Sequence, residues 1–258
     1  EKLSGNAAIG HVRYSTAGGG GIMNVQPFLF RTLDGMMGIA HNGNIVNANL
    51  LKKELEENGS IFNSTSDTEV LGHLIKRETG RFVDRICKSL EKIDGAFAFV
   101  ILVEDALYVA RDRYGLRPLS MGRLPSGGYM FSSETCALDI AGAEYVRDVE
   151  PGEIIRVKDG IIKSKKYTET LPICNKLCAM EYIYFSRPDS NLDGINVHTA
   201  RKTCGKTLFE EAPVEADLVI GVPDSSISAA IGYSEASGIP YPPESEREPQ
   251  QYCHLYER

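Results

Sequence analysis

For its first 165 residues the chain never settles into an alternation of strand and helix. Short apolar runs at residues 7–12 and 35–40 read as strands, each followed by a polar cluster. Three helical patterns come next. Residues 47–58 are closed by Gly59. A second helix opens at Ser66, where Ser66-x-x-Glu69 fits a capping box and Val70, Leu71, Leu74 and Ile75 form an apolar stripe. Residues 81–93 carry Phe82, Ile86 and Leu90 at four-residue spacing. From Asp94 the texture is β, with strands at 96–102, 106–110, 129–132 and 145–149. Asp159-Gly160 between 154–157 and 161–165 marks a hairpin. This order predicts antiparallel sheets covered by helices. After a break at 168–177, a helix at 197–211 carries Val197, Ala200, Cys204 and Leu208 on one face. A strand at 216–222 and a helix at 225–237 then make a β-α unit. The expected fold class is α+β over 1–172, followed by an α/β domain over 173–258.

The 258 residues carry a net charge of −7, which disfavours nucleic acid as a partner. No apolar run approaches the ~20 residues that span a bilayer, and no export signal opens the chain, so a cytoplasmic protein with no membrane partner is expected. Cys87, Cys136, Cys174, Cys178, Cys204 and Cys253 are scattered, a pattern of reduced, buried thiols rather than a disulfide scaffold.

Chemistry concentrates in three clusters: His11-Val12-Arg13-Tyr14-Ser15-Thr16, His41-Asn42-Gly43-Asn44 and Ser66-Asp67-Thr68-Glu69. Together they supply a guanidinium, amide donors and a carboxylate, the groups that hold a free amino acid and stabilise an oxyanion on its side chain. Each also has a plainer reading. Arg13 alone reads as a surface arginine, Asn42-Gly43 as a turn, and Asp67 as a helix-capping acid. Gly18 to Gly21 lack the Lys-Ser/Thr of a phosphate loop. His11 and His41 have no ligand-spaced partners for a metal.

Taken together the clusters resemble the amidophosphoribosyltransferase family of glutamine amidotransferases, from about Gly5 to Tyr241. The resemblance rests on Gly10 to Tyr14, Asn24 to Pro27, His41 to Asn44, Ser66 to Glu69, Gly115 to Leu119, Ser132 to Thr135, Val149 to Glu153 and Gly221 to Ser226. Most specific is Met180-Glu181-Tyr182-Ile183-Tyr184-Phe185-Ser186-Arg187-Pro188-Asp189-Ser190. The resemblance implies an N-terminal-nucleophile glutaminase, an αββα sandwich, followed by the start of a phosphoribosyltransferase domain. It implies a homo-oligomer at full length that uses glutamine and phosphoribosyl pyrophosphate to make 5-phosphoribosylamine, the first step of de novo purine synthesis. Arg13, Thr16 and Asp67 would hold glutamine, and Asn42 and Gly43 would form the oxyanion hole. Cys178 would be one ligand of a [4Fe-4S] cluster in iron–sulfur members of the family, and Ser225 would contribute to a Mg²⁺ site. A helix N-cap is an equal reading of Ser225, and a free buried thiol remains a serious reading of Cys178.

The sequence departs from the family at both ends. It opens on Glu1 without the nucleophilic N-terminal Cys, and from residue 242 its Pro- and Glu-rich tail matches nothing expected. The expectation is a chain truncated at both ends that neither hydrolyses glutamine nor transfers phosphoribosyl groups, and that is marginally stable. Two other functions compete: a non-catalytic glutamine-binding module, and another type 2 glutamine amidotransferase.

Overall fold

The computed structural model describes residues 5–12, 21–32 and 35–242. Strand β1 (Phe28–Thr32) is followed by the long β2 (Gly35–Ile45). Helices α1 (Ala48–Glu57), α2 (Thr68–Arg77) and α3 (Phe82–Glu91) follow. The chain then runs through β3 (Gly95–Val103), β4 (Ala106–Arg111), β5 (Ser120–Arg123), β6 (Tyr129–Ser132), α4 (Thr135–Ile140), β7 (Glu144–Asp148), β8 (Glu153–Lys158) and β9 (Ile161–Lys166). Last come the short pair β10 (Asn191–Leu192) and β11 (Ile195–Asn196), then α5 (Val197–Glu211) and α6 (Ile227–Ser237). Two compact units result, one of residues up to 133 with 138–177, the other of 134–137 with those from 178 onward.

The first unit is built on an antiparallel six-stranded sheet in the order β1-β2-β3-β4-β8-β9, with a three-stranded sheet β6-β5-β7. Two-residue alternation sorts β3 between two cores. Phe97, Phe99 and Ile101 join Leu71, Ile75, Ile86 and Leu90 under the helices. Ala98 and Val100 face the smaller sheet with Met121, Leu119 and Ile155. Leu138 of α4, fully buried, packs where a Gly122 side chain would stand. The layers are therefore helix, sheet, sheet, helix, as the family resemblance implies.

Three local readings change. Residues 7–12 form no strand, because β2 already has β1 on one edge and β3 on the other. The run instead lays Ile9 over Gly38. The capping box does not form: Glu69, 3% exposed, reaches back to the N–H groups of Asn63 (2.9 Å) and Ser64 (2.8 Å) and to the Ser64 hydroxyl (2.6 Å). It thereby closes the loop before α2 rather than capping the helix. Strand β1, strand β5 and helix α4 stand where no element was expected. Their ranges are short, and local pattern carries little weight at such lengths.

The fully buried Arg111 guanidinium donates to the carbonyls of Arg117 (2.7 Å), Val149 (2.8 Å) and Gly115 (2.8 Å). Asp112 beside it accepts from the N–H groups of Phe97, Tyr114 and Leu116. Burial raises the Asp112 pKa, against the pull of those donors. The two side chains spend their hydrogen bonds on backbone and shape the Gly115 to Leu119 loop.

In the second unit α5 and α6 pack at glycine contacts. A Cβ on Gly205 would lie 1.9 Å from the Ala229 carbonyl oxygen, and one on Gly232 would lie 2.0 Å from that of Lys202. This contact resets the inward face of α5 to Val197, Arg201 and Gly205, leaving Cys204 and Leu208 exposed. Residues 216–222 are not a strand. Val219 N–H donates to the Pro240 carbonyl at 2.9 Å, and no described strand lies alongside to complete a ladder. Of the expected β-α unit, the helix is observed and the strand is not.

Candidate functional site

Arg13 and Thr16 lie outside the described residues. Asn42, Gly43 and Asp67 lie in the first unit, on two elements that hydrogen-bond to each other.

Strand β2 carries the donors. The cluster His41 to Asn44 sits inside the strand rather than beyond its end, and Asn42 and Gly43 pair with Ala98 and Phe97 of β3. Asn42 is half-buried, and its amide donates to the Ser133 hydroxyl at 3.1 Å. An Asn amide carries two N–H donors, so one is held by Ser133 while the other remains for a ligand. Gly43 has φ 151°, and a Cβ there would lie 2.0 Å from the Ala96 carbonyl oxygen. Only glycine fits, so Asn42-Gly43 is a strained strand position and not the turn of the plainer reading.

Helix α2 carries the acid. Asp67 is the residue before its first turn, in helical φ/ψ and without a side-chain cap bond. Its Oδ2 accepts the Ile45 N–H at 2.8 Å, two residues beyond Gly43. The side chain stays 17% exposed, leaving lone pairs toward solvent. The capping role of the plainer reading is therefore not the one observed. The acid ties the helix start to the donor strand.

Between them lies His41, 4% exposed and stacked on Phe99 at 4.3 Å between ring centroids. Its Nδ1 is 3.0 Å from Thr68 Oγ1 and 4.0 Å from Asp67 Oδ1. Burial lowers its pKa to about 4, outweighing the opposing pull of Asp67. His11 and Arg117 add to the lowering. Gln26 accepts the His41 N–H at 2.7 Å, and His11 Nε2 lies 3.0 Å from the His41 carbonyl oxygen. Neither Gln26 nor Ser133 carries a local signal for this site, because each reaches it from a distant part of the chain. The motifs Asn24 to Pro27 and Ser132 to Thr135, which carry the family resemblance, were the only hints of them.

Cys178 and Ser225 belong to the second unit. Cys178 is half-buried, and Cys174 and Cys204 are exposed, against the expectation of buried thiols. Cys87 and Cys136 are buried as expected. Helix α6 begins at Ile227 with Ser226 as its N-cap residue, so Ser225 is not the cap. Among the described residues no three His, Cys, Asp or Glu side chains converge as a metal site. The donor set for a cluster does not assemble around Cys178 among the described residues. No described helix is long and apolar enough to cross a membrane.

Residues 16–139 match the model of a glutamine amidotransferase domain family. Over 243 residues, 93% of this chain and 50% of the relative, the sequence is 58% identical to an amidophosphoribosyltransferase of Bacillus subtilis (strain 168). A solved structure of glutamine phosphoribosylpyrophosphate amidotransferase from B. subtilis, complexed with ADP and GMP, superposes with a TM-score of 0.85 at 51% identity. It covers 96% of this chain and 55% of that one. A second solved structure, described as the allosteric regulatory enzyme of purine biosynthesis, gives the same TM-score at 53% identity, with the same shares covered. The chain spans about half the length of the curated relatives it matches.

Proposed function

We propose that this chain, a homologue of amidophosphoribosyltransferases over nearly all of its length, is the glutamine-binding part of a glutamine-dependent amidotransferase of purine synthesis. The supporting observation is the meeting of Asn42 and Gly43 with Asp67 through the Asp67–Ile45 hydrogen bond. A free amino acid offers an ammonium to a carboxylate and a side-chain carbonyl to N–H donors. Asp67 would take the first, while the Asn42 amide and the Gly43 backbone would take the second. Arg13 would clamp the α-carboxylate, with Thr16 assisting. The whole reaction would hydrolyse the glutamine amide and deliver ammonia to phosphoribosyl pyrophosphate, releasing glutamate, pyrophosphate and 5-phosphoribosylamine. A cytoplasmic homo-oligomer, a Mg²⁺ contact at Ser225 and a cluster ligand at Cys178 belong to the same proposal.

Calorimetric titration of glutamine into the chain tests this reading. Saturable binding is expected, and Asp67→Asn should weaken it by about ten- to a hundredfold, the range for a hydrogen bond to a charged group. Asparagine keeps an oxygen for the Ile45 N–H, so the melting temperature should hold. No binding by the unaltered chain, or equal affinity in Asp67→Asn, would sink the proposal.

A further inference from the structure

The donor corner and the acid sit on different elements, yet a pocket needs them in fixed register. We propose that His41, with Gln26 and Thr68, is a positioning residue for glutamine: it clamps strand β2 to the start of α2 while leaving the Asp67 charge uncompensated. This rests on the glutamine-site reading above. Strand β2 is tied to the helix start at both sides of the corner. On one side the His41 N–H donates to Gln26 Oε1 at 2.7 Å, Gln26 Nε2 donates to Thr68 Oγ1 at 3.5 Å, and Thr68 Oγ1 lies 3.0 Å from His41 Nδ1. On the other, Asp67 Oδ2 accepts the Ile45 N–H at 2.8 Å. Asn42, Gly43 and Asn44 are suspended between these two ties.

The proton on the imidazole follows from its surroundings. Nε2 is enclosed and makes no hydrogen bond among the described residues, and the Ala96 carbonyl is the backbone acceptor beside the ring; on this proposal the N–H sits on Nε2 and Nδ1 is left as an acceptor. Thr68 has one hydroxyl proton and two candidate acceptors, His41 Nδ1 at 3.0 Å and Asp67 Oδ1 at 3.4 Å, and the nearer takes it. The groups acting on the ring are Asp67, His11 and Arg117, and its burial outweighs the one that favours a charge. A neutral ring 4.0 Å from Asp67 forms no ion pair with it. His41 therefore does not pair with the carboxylate, which is left to take a ligand ammonium.

Glutamine titrations of the full chain with His41→Phe, Thr68→Val and His41→Gln, each first shown to fold by its melting curve, test the clamp. His41→Phe and Thr68→Val should weaken affinity about tenfold, the weight of one lost hydrogen bond. His41→Gln, which restores an acceptor, should recover most of it. The unaltered chain should show constant affinity between about pH 7.5 and 5.5, with nitrogen NMR reporting an unprotonated His41 Nδ1 throughout. Full affinity in folded Thr68→Val, or a protonated Nδ1, would overturn the proposal. If the unaltered chain binds no glutamine, the functional reading falls and the clamp is judged by hydrogen exchange. The His41 N–H should then exchange about tenfold faster in Thr68→Val, and an unchanged rate would overturn the clamp.

Discussion

Gly43 is the residue on which the candidate site turns. Its φ of 151° and the 2.0 Å approach to the Ala96 carbonyl oxygen leave no room for a methyl group, and the crowding atom is backbone. Gly43→Ala should therefore part β2 from β3 locally and cost about 2–4 kcal/mol, the range for combined strain and overpacking. Chemical denaturation measures this directly, and an unchanged midpoint would refute it. At this scale the sequence was informative about chemistry and poor about partners. Asn42, Gly43 and Asp67 were legible because amides, glycine and acid are the residue types the chemistry needs. The Ser133 hydroxyl 91 residues from Asn42, and the Gln26–His41 bond, were not legible. Such contacts are created by the sheet, and no local pattern encodes them.

Periodicity identified the elements, and neighbours decided their boundaries. Helices α1 to α3 each bury one face against the core beneath them, and strands β3, β4 and β8 alternate between two cores, so all follow the apolar spacing closely. Residues 7–12 and 216–222 have strand-like composition but no described strand beside them to pair with. The misjudged face of α5 has a related cause, because glycine scores as neutral in an apolar pattern yet decides where two helices can touch. Gly205→Ala and Gly232→Ala each place a methyl about 2 Å from a carbonyl of the facing helix. Alanine is favoured in an isolated helix by about 1 kcal/mol, whereas forcing two packed backbones apart costs about 1–3 kcal/mol or more. The clash should win, so each substitution lowers stability, read as earlier loss of helical circular dichroism. A higher melting temperature in either variant would show that α5 and α6 are less closely packed than described.

Across the molecule as a whole, buried titratable groups make stability depend on pH, and their windows are separable. His41 has its folded pKa lowered from 6.5 to about 4, so the unfolded chain takes up the proton first as pH falls. Its contribution is intact above the unfolded value and is lost as pH drops toward the folded one, amounting to about 2 kcal/mol between about pH 7.5 and 5. His73, lowered mainly by burial, acts in the same direction. Glu153 titrates later. Burial raises its pKa, but paired hydrogen bonds from Arg147 at 2.8 and 2.7 Å, with the Glu150 N–H, hold it below the usual carboxylate value. Its stabilisation is present above the unfolded value and disappears only in stronger acid. Denaturation of the full chain at stepped pH should therefore show a first decline beginning below about pH 6.5 and a second one lower. His41→Gln has no imidazole to protonate and should flatten most of the first decline while leaving the second in place. Equal slopes in the two proteins above pH 5 would mean that His41 is not held neutral by the fold, and the uncompensated charge on Asp67 would lose its explanation.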